Sequence, residues 1–406
     1  MNVLYIHVVG PWGGSSRSLY ETIKNFPDKS VNPYFLTVKG TSEFFFRNIS
    51  KNLISVKGLS RFDNTQYSFY KGFRWLVVLR ELYYLPLTIL SLYRAKKKFI
   101  KIDIIHINDF VAIFPLVFAK IFFKVPIIVH VRSVSRLNFK SFRTRLITRI
   151  LKSCVNQIIC IDETVKESLD SKLESIVIHN SFTKSNVIDN DLDLAQKISQ
   201  LDSKIFKIGF IGSMHKSKGI LELFEAFKIV ISRGYLSQLI YVGGEPTNSS
   251  NPFNRILNKL GIRQYQLEDL KNQIKASNFE NHVSFFGHVN NVENVYDVLD
   301  IVCIPGLADA PGRQLIEAAF SKVPVILAIS KPKKDTIISH KTGIAVPLRN
   351  AEKLSEAIIF CINNKEKTKK MGENAFDLAK KNFDSKTNSL KILKIYEKIS
   401  RTLNDE

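Results

Sequence analysis

Asp309 and Glu317 bracket a Pro-Gly pair and an arginine in the stretch IVCIPGLADAPGRQLIEAAFSKVPVI, residues 301–326. The run Asp300 to Ile304 has the length and β-branched content of a buried parallel strand. The apolar positions Leu315, Ile316, Ala318, Ala319 and Phe320 suit a helix opened by Pro311 and Gly312. Proline near a first turn loses no hydrogen bond, because its missing N–H would have had no partner there. Val323 to Leu327 reads as a second strand. The amides of Gly312, Arg313 and Gln314 are thereby delivered at a helix N-terminus, whose free donors and partial positive charge suit a phosphate. Carboxylates cannot usefully bind phosphate, so Asp309 and Glu317 would face hydroxyls, of a ribose or another sugar. The alternative is an acidic helix N-terminus followed by a solvated Glu, since strand–loop–helix units are common.

The spacing Asp309-x7-Glu317, followed by Ala318 and then Pro324-Val325, resembles the signature of retaining glycosyltransferases of family 4 (glycosyl transferases group 1) with the GT-B fold. That family usually has Glu at both ends; Asp309 is one methylene shorter. The resemblance implies Glu317 on the ribose of a nucleotide-diphosphate sugar, Asp309 near the transferred sugar, and Gly312, Arg313, Gln314 and Leu315 under the diphosphate. Upstream, Gly212-Ser213-Met-His215-Lys216-Ser-Lys218-Gly219 is similar to the family's Gly-Arg-Leu…Lys-Gly loop. It implies Lys218 on the diphosphate, while Ser213 stands where the family has an arginine. His215, Lys216 and Arg313 could each supply the missing cation. Gly243-Gly244 after the strand Gln238 to Val242, and His288-Val289 after Val283 to Gly287, match loops that meet the donor, the second through backbone groups on the base. Gly343-Ile-Ala-Val-Pro347 matches the family's Gly-x-Leu-Val-Pro.

The first half resembles the family as well. Asn2 to Val9 reads as a strand, followed by a loop containing Gly13 and Gly14, where backbone could approach a ligand closely, and a helical pattern from Ser18. Asp103 to Asn108 resembles the family's Asp-Val-Val-His-x-His strand. His130 ends the strand Val125 to His130, where doubly wound sheets place ligand groups; the resemblance puts it in the cleft, against the transferred sugar or the acceptor. His179-Asn180-Ser181 resembles the family's Pro-Asn-Gly exit from the N-terminal domain, and Ile395-Tyr396 the place where the chain crosses back onto it.

The resemblance implies that two Rossmann-like βα domains, facing each other across a cleft, position these residues, and 406 residues suffice for two. Residues 1–182 would be an acceptor-binding domain, with a C-terminal helix, 384–406, packing back on it. The polar run 183–204 would be a linker, and residues 205–383 the nucleotide-sugar-binding domain. Asp189-Asn-Asp191 in the linker is formally a metal-binding DxD, but a polar connection is the wrong place for one. No His, Cys, Asp or Glu cluster has metal-ligand spacing. Leaving-group charge would then be met by cations and amides, with no metal or other cofactor; the resemblance implies retention by front-face attack, and with it no protein nucleophile. The four cysteines, Cys154, Cys160, Cys303 and Cys361, sit in or beside apolar segments and read as reduced core residues. Met1 leads straight into a strand, consistent with a cytoplasmic protein.

The net charge is +22, and residues 1–160 hold 25 Lys/Arg against 7 Asp/Glu. Such asymmetry implies an anionic partner. Residues 71–101 are apolar and aromatic but interrupted by Arg80, Glu81 and Pro86, and they end in Lys96-Lys97-Lys98. A bilayer span needs about 20 nearly uninterrupted apolar residues, so this segment better suits a helix lying against headgroups. Residues 140–152 form a basic amphipathic helix with Leu146, Ile147, Ile150 and Leu151 on its apolar face. The expectation is a peripheral protein on the inner face of the cell membrane, docking on anionic lipid through both segments; the alternatives are that the apolar face of residues 71–101 is core and that the charge serves a soluble anionic acceptor such as an acidic glycan. A basic nucleic-acid-binding protein without catalytic activity is the other class the charge allows, but no RRM, KH or helix-turn-helix signature supports it. A dehydrogenase would need GxGxxG after the first strand. The expected activity is hexosyl transfer, with retention, to a glycan or lipid-linked acceptor in cell-surface polysaccharide or glycolipid assembly.

Overall fold

Short runs of Val, Ile, Leu and Phe, separated by amphipathic segments too long for hairpins, can pair only in parallel, with a helix in each crossover. The computed structural model describes residues 1–67, 70, 72–99, 101–184, 191–245, 264–289 and 291–402. The chain divides into two units, residues 1–183 with 383–406, and residues 184–382.

In the first unit the order is β1 (Asn2–His7), α1 (Gly14–Lys24), β2 (Asn32–Val38), α2 (Thr41–Arg47), β3 (Leu53–Val56), a 3-10 turn (Gly72–Leu76) running into α3 (Val77–Lys98), β4 (Ile104–Asn108), α4 (Ile113–Phe123), β5 (Ile127–Val131), α5 (Phe142–Cys154), β6 (Gln157–Cys160), α6 (Glu163–Glu167) and β7 (Ser175–Val177). The strands form one parallel sheet, β3-β2-β1-β4-β5-β6-β7. Alternate residues of each strand serve opposite faces. Leu4, Ile6, Ile105, Ile107 and Val129 pack with Leu92, Leu116, Ile147 and Leu151 from α3, α4 and α5. Val3, Tyr5, Ile104, Ile128 and Ile159 pack with Leu19 and Ile23 of α1.

The second unit runs α7 (Leu192–Ser199), β8 (Phe206–Ile211), α8 (Ile220–Ser232), β9 (Ser237–Val242), α9 (Leu267–Ala276), β10 (Val283–Gly287), α10 (Glu293–Tyr296), β11 (Ile301–Ile304), α11 (Arg313–Phe320), β12 (Val325–Ala328), β13 (Gly343–Val346), α12 (Ala351–Asn363) and α13 (Lys365–Phe383). Its sheet is also parallel, β10-β9-β8-β11-β12-β13. A last helix, α14 (Ser385–Thr402), belongs to the first unit and buries Ile392 and Tyr396 beside Val3 and Tyr5.

Several expectations shift. The segment read as a linker contains α7, whose Leu194 is buried and whose Lys197 donates to the Phe286 carbonyl at 3.2 Å. Asp191 accepts from the Leu194 amide at 3.0 Å and caps that helix, while Asp189 lies outside the described residues. The first helix begins at Gly14 rather than Ser18, because Ser16 accepts from the Gly13 amide at 2.8 Å and closes the turn early. Helix α11 begins at Arg313, so Pro311 stiffens the loop before the cap rather than the first turn. The alternative that the apolar face of residues 71–101 is core fails for most of α3. Its buried residues are Glu81, Thr88, Ser91, Leu92 and Ala95, while Leu79, Leu82, Tyr83, Leu90 and Tyr93 face outward. With the turn before it, Gly72–Lys98 is the one helix among the described residues long and apolar enough to cross a membrane.

Candidate active site

Each sheet reverses its strand order once, and doubly wound sheets bind ligands outside the carboxyl ends of the strands at that point. In the second unit the reversal lies between β8 and β11. The loops leaving β8, β9 and β11 abut there. A Cβ on Gly243 would lie 1.9 Å from the Gly212 carbonyl oxygen, and one on Gly219 would lie 1.9 Å from that of Pro305. Both glycines also have positive φ, at 120° and 71°, which other residues adopt only with strain. The Leu307 amide donates to the Ser217 carbonyl at 2.9 Å, and the Gly243 amide to the Gly287 carbonyl at 2.6 Å. The expected residues Gly212, Lys218, Gly243 and Gln314 thus converge, and Ser213 and His288, both exposed, sit on the same row of strand ends. Lys218 is half-buried by surface area, but its ammonium lies deep enough that desolvation lowers its pKa from the ordinary lysine value.

Gly312 caps α11 in the left-handed region, φ 74°, and is exposed at the N-terminus of the helix. Leu315 and Val289 turn their side chains into the core, so only their backbone groups could serve a ligand. Glu317 is not the solvated residue of the alternative reading. It is 5% exposed, accepts from Arg313 Nε at 2.9 Å and from the Tyr296 hydroxyl at 3.1 Å. Arg313 is therefore committed to Glu317 and is poorly placed to stand in for the cation missing at Ser213. His215 accepts from the Ser217 amide at 3.2 Å and meets the Tyr265 ring edge-on at 5.5 Å; Lys216 is exposed. Asp309 accepts from the Ser330 amide at 2.6 Å, which ties the loop after β11 to the end of β12. Tyr296 and Ser330 were not singled out in the sequence; neither lies in a motif, and only the packing of α10 and β12 brings them to the carboxylates.

In the first unit the reversal lies between β1 and β4, and side chains fill it. His7 ends β1, Asn108 ends β4 and His130 lies one residue before the end of β5. Arg132 donates through Nε to Asn108, through Nη1 to Asn180 at 2.6 Å and through Nη2 to His130 Nδ1 at 3.3 Å. With its oxygen so engaged, the Asn108 amide nitrogen donates to His7 Nδ1 at 2.9 Å and to the Ser15 carbonyl at 3.3 Å. His106, inside β4, lies 2.6 Å through Nδ1 from the Tyr396 hydroxyl of α14. The three imidazoles are buried. Burial, and then the charge of Arg132, lowers His7 and His106 to about 3 and holds His130 well below the ordinary histidine value. All three are neutral at pH 7, and the acceptor role of Nδ1 puts the proton of His7 and of His130 on Nε2. His7 was missed in the sequence, although the strand-end rule that marks His130 applies equally to it. Gly13 and Gly14 sit at the head of α1, and a Cβ on Gly13 would touch nothing, so packing does not require that glycine.

Among the described residues no group of three His, Cys, Asp or Glu side chains is placed to hold a metal ion.

Comparison with known families resolves what this pair of strand-end sites belongs to. Residues 12–182 match the model of Glycosyltransferase Family 4, and residues 193–378 that of Glycosyl transferases group 1. The chain belongs to the group 1, family 4 glycosyltransferases. This family-4 chain is 26% identical over 258 residues to a capsular polysaccharide biosynthesis glycosyltransferase, CapM, of Staphylococcus aureus. That match covers 61% of the chain and 63% of the relative, less than two thirds of the relative's length. Among solved structures it is similar to Anabaena Alr3699/HepE in complex with UDP and glucose, at TM-score 0.73 and 19% identity over 98% of this chain and 99% of that one. It is also similar to sucrose-phosphate synthase of Thermosynechococcus elongatus, at TM-score 0.71 and 18% identity over 99% of this chain and 100% of that one. At these identities the likeness establishes the fold, GT-B with two Rossmann-like units.

Proposed function

We propose that the family-4 chain transfers a hexose, with retention of configuration, from a nucleotide-diphosphate sugar to a glycan or lipid-linked acceptor. One observation carries this: the loops after β8, β9 and β11 meet at the reversal point of the second sheet, with Lys218 and the amides at the start of α11 on the same side of the strand ends. The neighbour solved with UDP and glucose supports a nucleotide-sugar donor, and the capsular relative supports a role in cell-surface polysaccharide assembly.

As the glycosidic bond breaks, negative charge grows on the β-phosphate. Lys218 and the amides of Gly312, Arg313 and Gln314 stabilise that charge more than the ground state, which is what lowers the barrier. A depressed lysine pKa marks incomplete solvation of the ammonium, and a poorly solvated cation attracts a phosphate more strongly than a hydrated one. Glu317, held by Arg313 and Tyr296, accepts from ribose hydroxyls with its remaining lone pairs, and Asp309 lies toward the transferred sugar. His130, neutral and held by Arg132, meets the sugar or acceptor. No protein nucleophile and no metal take part. The protein works in the cytoplasm, at the inner face of the membrane where a lipid-linked acceptor is exposed.

The test is to incubate the full chain with a panel of UDP-, GDP- and dTDP-sugars and lipid-linked glycans, following release of the nucleoside diphosphate and the anomeric configuration of the product by NMR. Release with one donor and a product of the donor's own anomeric configuration is expected. A product of opposite configuration overturns retention; loss of turnover in EDTA, restored by Mn²⁺, overturns the metal-free route. Absence of release with every donor overturns the reading itself.

A further inference from the structure

Helix α3 buries polar residues beside Leu92 and Ala95 and turns most of its large apolar side chains outward. Glu81, Thr88 and Ser91 lie on its buried face, while Leu79 is 63% exposed, Leu82 54% and Tyr83 68%. The buried polar residues have work there. Glu81 accepts from the Arg61 amide at 2.9 Å, and Thr88 accepts from the Ser60 amide at 2.7 Å, so the inner face holds the loop after β3. Ser91 donates to the Leu87 carbonyl at 2.5 Å. The outer residues Leu76, Leu79, Leu82, Tyr83, Leu90 and Tyr93 recur at helical spacing and form one apolar stripe. Contiguous exposed apolar surface of this kind marks an interaction site rather than ordinary surface.

We infer that the outward face of α3 is a docking surface for an anionic lipid bilayer, on which the helix lies in the plane of the headgroups. What surrounds the stripe decides the occupant. Arg80, Arg94, Lys96, Lys97 and Lys98 are exposed on the same helix, and its single acid, Glu81, is buried against Arg61 and Arg80. The start of α5 adjoins the start of α3, because Arg143 lies over the rings of Trp75 and Tyr70, at 5.9 and 5.4 Å. There Phe142 is 74% exposed, and the exposed Arg145 and Arg149 follow on a helix without an acid. A second copy of this face would set one basic rim against another. An apolar protein partner would leave the lysines without counterions. An anionic bilayer satisfies both features, with leucines in the acyl boundary, Trp75, Tyr83 and Tyr93 at headgroup depth, and the cations among lipid phosphates. A spanning helix, which length and composition alone would allow, would break the hydrogen bonds to Ser60 and Arg61 and strand Glu81 in hydrocarbon. This surface goes beyond the transfer reaction and is testable without any sugar.

The experiment is flotation of the full chain with vesicles of phosphatidylcholine alone and of phosphatidylcholine mixed with phosphatidylglycerol. Binding to the anionic vesicles, falling with salt, and no binding to the neutral ones are expected. The variant Leu79→Glu/Leu82→Glu/Tyr83→Glu should lower the partition constant roughly a hundredfold or more, since each large apolar side chain contributes about tenfold on burial. Arg145→Glu/Arg149→Glu should lower it by about fivefold or more per site. Circular dichroism and the thermal unfolding transition report whether each variant is folded. A wild type that never floats overturns the inference, as does flotation undiminished in the folded triple variant. Resistance of bound wild type to alkaline carbonate would show a spanning helix and overturn the in-plane arrangement. A wild-type dimer that the triple variant converts to monomer, without flotation, would assign the face to a second copy.

Discussion

At the strand ends of the second unit the groups on offer are mainly backbone amides and carbonyls, arranged by glycines, with Lys218 among them. At the strand ends of the first unit they are imidazoles, side-chain amides and one guanidinium, packed out of water and hydrogen-bonded to each other. The same topology thus builds two kinds of strand-end cluster. A backbone cradle suits a group common to every nucleotide sugar, the diphosphate, and it tolerates change in most side chains. A side-chain cluster suits whatever distinguishes one acceptor from another. The exteriors differ in the same sense, with most of the excess positive charge in residues 1–160.

The largest effect expected from this contrast is at Lys218. Lys218→Ala should lower kcat by about a hundredfold or more, the usual cost of removing a preorganised group from developing charge, and should weaken donor binding too. Arg132→Met, in the first unit, should leave donor affinity unchanged while impairing acceptor use. Equal loss of donor affinity in both variants, measured by titration calorimetry, would erase the division of labour.

Next is the Arg313–Glu317 pair. Removing one member of a buried ion pair typically costs about 3 kcal/mol, because the other charge stays buried. Glu317→Gln should therefore lower the melting temperature as well as donor affinity. Arg313→Met with Glu317→Gln should recover most of the stability and none of the affinity. If the double variant also regains donor binding, Glu317 is only a structural partner of Arg313.

A pH experiment separates the units directly. His7 and His106 are lowered to about 3 in the folded protein, against 6.5 when exposed, and His130 is lowered as well. Between those values the unfolded state binds more protons, so stability rises with pH and is lost as pH falls from about 6.5 toward 3. Amide exchange at mildly acidic pH should show β1, β4 and β5 losing protection before β8 and β11. Simultaneous loss in both sheets would mean the buried imidazoles do not control acid lability.

The smallest effect concerns Asp191. As a helix cap its replacement by Ala should cost about 1 kcal/mol in local stability and leave turnover unchanged. Loss of turnover in a folded Asp191→Ala protein would revive the DxD reading.

The glycine-built strand ends of the second unit were legible in the sequence because backbone geometry leaves a local trace in glycine and proline at fixed offsets from strands. Gly212, Gly219, Gly243 and Gly312 could be placed before any contact was known. The first unit's cluster was only half legible. His130 and Asn108 stood at strand ends, but the bonds from Arg132 to Asn180 and from Asn108 to His7 join residues far apart in the chain. No local pattern encodes them. The same limit explains Glu317, whose spacing suggested a hydroxyl-facing carboxylate, while its burial depends on Tyr296 from another element. In α3 the apolar and aromatic content was visible, but which face turns inward depended on the loop that Glu81 and Thr88 bind.

The central claim is that the second unit seats a nucleotide-diphosphate sugar, and titration calorimetry of the full chain with nucleotide sugars, beside nucleic acid at matched salt, tests it most directly. The account predicts saturable binding of at least one nucleotide sugar, weakened in Lys218→Ala and kept in Arg132→Met. Tight binding of nucleic acid with no response to any nucleotide sugar would contradict it.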